Sequence, residues 1–183
     1  NTQFNNWINR SGNDLRSLLV QTSEGFYPYA GVPWYNTAFG RDGIITAFSM
    51  LWLVPEIAKG VLLFLARRQA TELNPVQDAE PGKILHEMRS GEMAETGEIP
   101  FKLYYGTIDA TMLFVMLAGH YLKRTNDLAT INRIWPNILN ALTWINKYGD
   151  IDGDGFVEYQ KKATHGLTNQ GWKDSHDSVM YED

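Results

Sequence analysis

An all-α fold of antiparallel helical hairpins is predicted by three observations. Apolar residues recur at helical spacing in five separate stretches of the chain. Long segments rich in glycine, proline and aromatic residues separate those stretches. The resulting order of helix, long loop, helix pair, long loop, helix pair and long loop gathers the connections at one end of a rigid scaffold, where binding residues are usually built.

The first helix is expected over 4–22, where Phe4, Trp7, Ile8, Leu15, Leu18 and Leu19 fall on one face. A loop rich in Gly, Pro and Tyr follows. Residues 43–53 carry Ile44, Ile45, Phe48, Met50, Leu51 and Trp52 and predict a second helix. Pro55 suits the first turn of a third, running to about Leu73. Its Val61–Leu65 run predicts a buried centre, and Arg67-Arg68 a basic last turn. Residues 74–107 form a long polar connection of the kind that is usually functional or disordered. Its own apolar and aromatic residues, among them Ile84, Leu85, Leu103, Tyr104 and Tyr105, favour an ordered one with short strands at 83–88 and 100–104. A fourth helix is expected at 108–124 and a fifth at 127–148, with Asp127 as N-cap and Gly149 as stop. An acidic turn, a short strand at 156–159 and the loop 163–176 follow, with a further helix starting near Asp177.

With 183 residues and 44% hydrophobic content the chain has the material for one domain with a real core. Its net charge of −5, without a basic patch, points away from nucleic acid. The absence of cysteine excludes disulfides, thiolate metal sites and cysteine nucleophiles. The sequence has no signal pattern and no long uncharged apolar run, so a soluble, cytoplasmic protein without membrane partners is expected. The four histidines, His86, His120, His165 and His176, form no pair at helical ligand spacing. No Gly-x-Ser-x-Gly elbow, phosphate-cradling Gly-Lys loop or dinucleotide fingerprint is present.

Chemistry concentrates in three loop segments. Asn169-Gln170-Gly171-Trp172-Lys173-Asp174-Ser175 sets a carboxylate beside a ring that can stack on a pyranose, the pairing that glycosidic cleavage needs. Pro33-Trp34-Tyr35 through Gly40-Arg41-Asp42 reads as a sugar platform, with Arg and Asp supplying hydroxyl donors and acceptors. The same residues equally read as a helix start capped by Asp42. Tyr104-Tyr105-Gly106-Thr107-Ile108-Asp109 repeats the arrangement, and there Thr107 as N-cap and Asp109 in the first turn would suffice. Asp150-x-Asp152-x-Asp154-Gly155 imitates the start of a calcium loop, but the twelfth position is Lys161, and Glu158 falls at the ninth. A turn held by Asx hydrogen bonds is expected instead.

Taken together, Pro33-Trp34 with Phe39-Gly40-Arg41-Asp42-Gly43, then Tyr104-Tyr105-Gly106-Thr107-Ile108-Asp109-Ala110-Thr111, then Gly171-Trp172-Lys173-Asp174-Ser175 resemble bacterial amylo-α-1,6-glucosidases, the glucosidase domain of glycogen-debranching-type proteins. That family belongs to the glucoamylase-like clan, and the resemblance covers residues 4 to 183. It implies an (α/α)6 barrel of which this chain is the N-terminal half, a single partial catalytic domain over 1–183 with loops and short β-hairpins at the funnel end. It further implies inverting hydrolysis of α-glucosidic linkages in an α-glucan without a cofactor or metal. Asp174 matches the general acid. Trp34, Arg41, Asp42, Tyr105, Asp109 and Trp172 match positions lining the sugar subsite, with Glu87, Arg89 and Glu92 contributing from the long loop. The family's general base lies in a later part of the barrel, outside this chain, so residues 1–183 alone are expected to be inactive. Glu98 and Glu158 do not match it. A half-barrel is also expected to show an exposed apolar patch or to pair into a homo-oligomer. The alternatives are a non-catalytic sugar-binding helical module, or a hydrolase of the same clan for another sugar, such as mannosylglycerate or a trimming glucosidase.

Overall fold

The computed structural model describes residues 1–96, 98 and 101–173, without the side chain of Glu95. Among these the regular structure is mostly helical, with six α-helices and two small two-stranded sheets. In chain order these are α1 (Thr2–Leu18), β1 (Leu19–Thr22), β2 (Gly25–Pro28), β3 (Ala38–Phe39), α2 (Gly40–Met50), α3 (Pro55–Arg67), β4 (Glu87–Met88), α4 (Glu92–Glu95), α5 (Ala110–Thr125) and α6 (Leu128–Trp144). A π-helical turn, Ile145–Gly149, extends α6. No helix among the described residues is long and apolar enough to cross a membrane.

Helix α3 is the centre of the core. Pro55 opens it with the fixed φ that a first turn accepts. Ile57, Ala58, Val61, Leu62, Phe64 and Leu65 are then all buried, leaving little of the helix surface to solvent. A helix apolar on most of its circumference must be surrounded, and α2, α5, α6 and the β1–β2 hairpin pack around it. The hairpin approaches so closely that a Cβ on Gly60 would lie 2.2 Å from the Phe26 carbonyl oxygen. Tyr27 fills the space between hairpin, α2 and α3. Its ring centroid is 4.3 Å from that of Phe64, and its hydroxyl donates to the Phe39 carbonyl at 2.8 Å. Complete burial pushes this phenol above its usual range.

The expected helices are present with shifted ends, and each shift has a local cause. The first helix stops at Leu18 rather than 22, because the β-branched Val20 and Thr22 pair with Tyr27 and Gly25 across a hairpin turn. Gly25, at φ 127°, permits that turn. The second helix starts earlier than expected, at Gly40, which sets Asp42 in its first turn rather than at its cap. The third helix ends at Arg67 rather than Leu73. Beyond it, the Ala70 amide donates to Lys83 and the Gly82 amide to Ala70, while the Gln69 side-chain amide donates to the Gly82 and Asn137 carbonyls. These bonds satisfy the groups a continued helix would have used. Helices α5 and α6 match the expected pair. Asp127 caps α6 by accepting from the Thr130 amide at 3.0 Å, and the helical run ends at Gly149.

The described residues of the 74–107 connection carry less strand than expected. Among the described residues, Glu87–Met88 pairs antiparallel with β3, Tyr104 bridges to Glu87, and Asn74 bridges to Ala79. The strand expected at 156–159 is not formed. That stretch follows an acidic turn and leaves Phe156 exposed. The helix expected near Asp177 lies outside the described residues.

Helices α1 and α6 both leave apolar surface uncovered. Helix α1 buries none of its residues and presents Phe4, Trp7 and Ile8 to solvent. Helix α6 turns Ile131, Ile134, Ile138 and Ala141 inward, while Leu128, Trp135, Leu139 and Leu142 form an outward stripe at near-heptad spacing.

Candidate functional site

The site is assembled on the junction between β3 and α2. Pairing of Ala38 and Phe39 with Met88 and Glu87 fixes the strand. The Gly40 amide donates to the His86 carbonyl at 2.9 Å. A Cβ on Gly40 would lie 1.9 Å from the Leu85 carbonyl oxygen, so only glycine allows α2 to start this close to the long connection. Arg41 and Asp42 leave this junction in the first turn of α2. A carboxylate at that place is favoured by the helix dipole.

Arg41 brings distant segments together. Its Nη1 donates to the Asp109 carboxylate at 3.1 Å and to the Gly171 carbonyl at 3.1 Å. Its guanidinium lies 5.2 Å from the Trp172 ring centroid, a cation–π geometry. The Arg41 and Asp109 side chains are 14% and 16% exposed, so the pair is shielded enough to hold one geometry. The second Asp109 oxygen accepts from the Thr107 hydroxyl at 2.7 Å. Thr107, expected as a cap for the helix, instead orients the aspartate that orients Arg41. Beside this junction is an open cleft of about 380 Å³ lined by Arg41, Asp42, Trp172, Tyr29, Leu15 and Leu18, among others. A charged fork, an exposed carboxylate and a flat ring therefore face one concavity. That combination can stack on a sugar ring and hydrogen-bond its hydroxyls.

The other expected residues fall elsewhere. Trp34, largely exposed, lines a separate cleft of about 410 Å³ with Arg89 and Glu92. Arg89 donates to the Trp34 carbonyl at 3.2 Å and pairs with the buried Glu87. Of these, Glu87 lies on β4, and Trp34, Arg89 and Glu92 line a cleft other than that of Arg41. Tyr105 is buried in the core, and its hydroxyl donates to the Arg68 carbonyl at 2.5 Å, beyond the end of α3. Burial pushes that phenol up to about 12, so it stays neutral at physiological pH. Asp174, expected as the general acid, lies outside the described residues.

Sequence reasoning passed over Asp78. It sits at φ 49° in the left-handed region, buried, and its carboxylate accepts from the Lys162 and Ala163 amides, the Tyr104 hydroxyl and the Gln170 side-chain amide. Nothing in the polar stretch around it distinguishes this aspartate from an ordinary loop residue. The acidic turn behaves as expected of Asx geometry. Asp150 accepts from the Gly153 and Gly155 amides, Asp152 from Asp154, and Asp154 from Phe156. Oxygens of Asp150, Asp152, Asp154 and Glu158 lie within 4.8 Å of one another.

No known family model matches the chain, and no curated protein matches it. The class that fold and site define is therefore a mostly helical protein carrying a loop-built polar and aromatic cleft at the start of α2.

Proposed function

We propose that the chain belongs to a glycoside hydrolase acting on α-glucosidic linkages, of the amylo-α-1,6-glucosidase type, and that its helices are the N-terminal half of an (α/α)6 barrel. The observation that carries this reading is the Arg41–Trp172 junction. All three motifs that resemble that family meet there: Arg41 of the first donates to Asp109 of the second and to the Gly171 carbonyl of the third, and lies over Trp172. In this reading the Trp172 ring supports the apolar face of a glucose unit, while Arg41 and Asp42 bind its hydroxyls.

Asp174, two residues beyond the ring, acts as general acid and protonates the leaving oxygen. A carboxylate outside this chain activates water from the opposite face, about 6.5–9.5 Å away, which inverts the anomeric centre. Residues 1–183 alone then bind glucose without turning over a glucoside.

The test is Asp174→Asn in the protein that also carries the base, assayed on an α-1,6-linked glucose disaccharide. Loss of a general acid lowers kcat by about 100-fold or more with sugar binding kept. An unchanged rate sinks the assignment. Binding of glucose with no turnover in the unsubstituted protein points to a non-catalytic sugar-binding module instead.

A further inference from the structure

We infer that the Asp78 carboxylate is a positioning residue for the sugar cleft, holding segment 162–171 in the register that sets Gly171 and Trp172 on Arg41. The inference rests on the function proposed above for the cleft. Between Asp150 and Lys173 the described chain has no helix or strand, so no backbone ladder fixes its path. Asp78 supplies the missing anchor. One carboxylate oxygen accepts from the Lys162 amide at 2.6 Å and the Ala163 amide at 2.8 Å. The other accepts from the Tyr104 hydroxyl at 2.9 Å and the Gln170 Nε2 at 3.0 Å. The Tyr104 oxygen in turn accepts from the Leu167 amide at 2.7 Å.

Three successive residues link this anchor to the site. Gln170 is bonded to Asp78, Gly171 to Arg41, and Trp172 lies against the same guanidinium. A shift of the anchor is therefore passed through adjacent residues directly into the cleft. The fit is close. A Cβ on Gly166 would lie 2.7 Å from both the Asp78 oxygen and the Tyr104 hydroxyl, so the segment wraps the pair without room for a side chain. The Gln170 backbone carbonyl accepts from the Ile108 amide at 2.8 Å, joining the same segment to the residue before Asp109. The Gln170 Oε1 atom is buried without a hydrogen-bond partner among the described residues.

Asp78→Ala removes all four acceptor contacts. It is expected to keep cooperative unfolding and helical circular dichroism, because the α3 core is untouched. Amide exchange at Lys162, Ala163 and Leu167 is expected to quicken by about tenfold or more. The fluorescence contribution of Trp172, isolated by difference from Trp172→Phe, should change, and glucose affinity should fall about tenfold. Asp78→Asn should recover most of both readouts. Its oxygen keeps the two amides, and its new donor meets the Gln170 oxygen once that side-chain amide turns over. An alanine variant that folds with unchanged Trp172 emission and unchanged glucose affinity overturns the inference, as does an asparagine variant no better than alanine. Should the alanine variant not fold, Tyr104→Phe, which deletes one hydroxyl, carries the same readouts. If the unsubstituted protein binds no glucose, the proposed function fails, while exchange and Trp172 emission still decide the part of Asp78.

Discussion

Arg41 and Asp109 form a shielded ion pair, 3.1 Å from Nη1 to Oδ2, that ties the first turn of α2 to the entrance of α5. The same nitrogen reaches the Gly171 carbonyl, 130 positions further along the chain. Removing the guanidinium takes the ion-pair partner from one Asp109 oxygen and leaves the Thr107 hydroxyl on the other. Arg41→Ala is therefore expected to cost about 1–3 kcal/mol in urea unfolding, and Arg41→Lys to restore only part, because an ammonium can reach the two oxygens but lacks the planar guanidinium that lies over Trp172. Full recovery by lysine would show that charge alone is needed.

The two aromatic platforms should differ in sugar binding. Trp172 shares its cleft with Arg41 and Asp42, whereas Trp34 lines the other. Trp172→Ala is expected to weaken glucose binding about tenfold, the scale of a stacked ring, and Trp34→Ala to change it far less. Calorimetric titration with glucose compares them. The opposite ranking would move the site to the Trp34 cleft.

Asp127 gives the fold an acid-sensitive joint. Its carboxylate accepts from the Thr130 hydroxyl at 2.6 Å, the Thr130 amide at 3.0 Å, the Tyr121 hydroxyl at 2.8 Å and the Lys59 ammonium at 3.0 Å. These donors, Thr130 foremost, hold it well below the usual carboxylate range. Stabilisation from a depressed acid is fully present above the unfolded pKa of about 4 and is lost as pH falls through the folded value. Asp127→Asn should lower stability at neutral pH by about 1 kcal/mol and flatten the decline below about pH 4. Urea titrations across that range measure both, and an undiminished acid slope in the variant would assign the sensitivity elsewhere.

Two helical glycines should respond oppositely to alanine. In α3, a Cβ on Gly60 meets the Phe26 carbonyl at 2.2 Å and the Phe26 amide nitrogen at 2.9 Å, both rigid backbone. Gly60→Ala is expected to destabilise by about 2–4 kcal/mol as the hairpin is pushed off the helix. In α5, Gly119 is exposed with open space around it. Gly119→Ala should therefore stabilise by up to about 1 kcal/mol through helix propensity alone. Thermal unfolding of the two variants checks the contrast, and a neutral Gly60→Ala would mean that the hairpin yields easily.

The helices were legible in the sequence because their signals are local. A repeat of 3.6 residues, a proline at a first turn and an aspartate three residues before the amide it caps all lie within one or two turns. Hence Pro55, Asp127 and Gly149 mark true boundaries. The shorter ends of α1 and α3 were not legible. Val20 gains its strand partner only across a hairpin, and Gln69 gains its carbonyls only from Gly82 and Asn137. Long-range bonds there outweigh a weak propensity.

The same division runs through the site. Residue types, together with the resemblance of their motifs to a glycosidase family, nominated Arg41, Asp42, Asp109 and Trp172, an acid, a donor group and a ring in glycine-rich loops being what sugar recognition requires. They also nominated Tyr105 and Trp34, which the fold directs to the core and to a second cleft. The sequence determined which chemistry the loops carry and which stretches are helical. The tertiary structure alone decided which loop residues share a cleft, and it made Asp78 the anchor of the segment that reaches it. The reason is physical: spacing encodes neighbours within a helix or strand, whereas contacts between residues 41, 109 and 171 exist only once α2, α5 and the last loop are packed around α3.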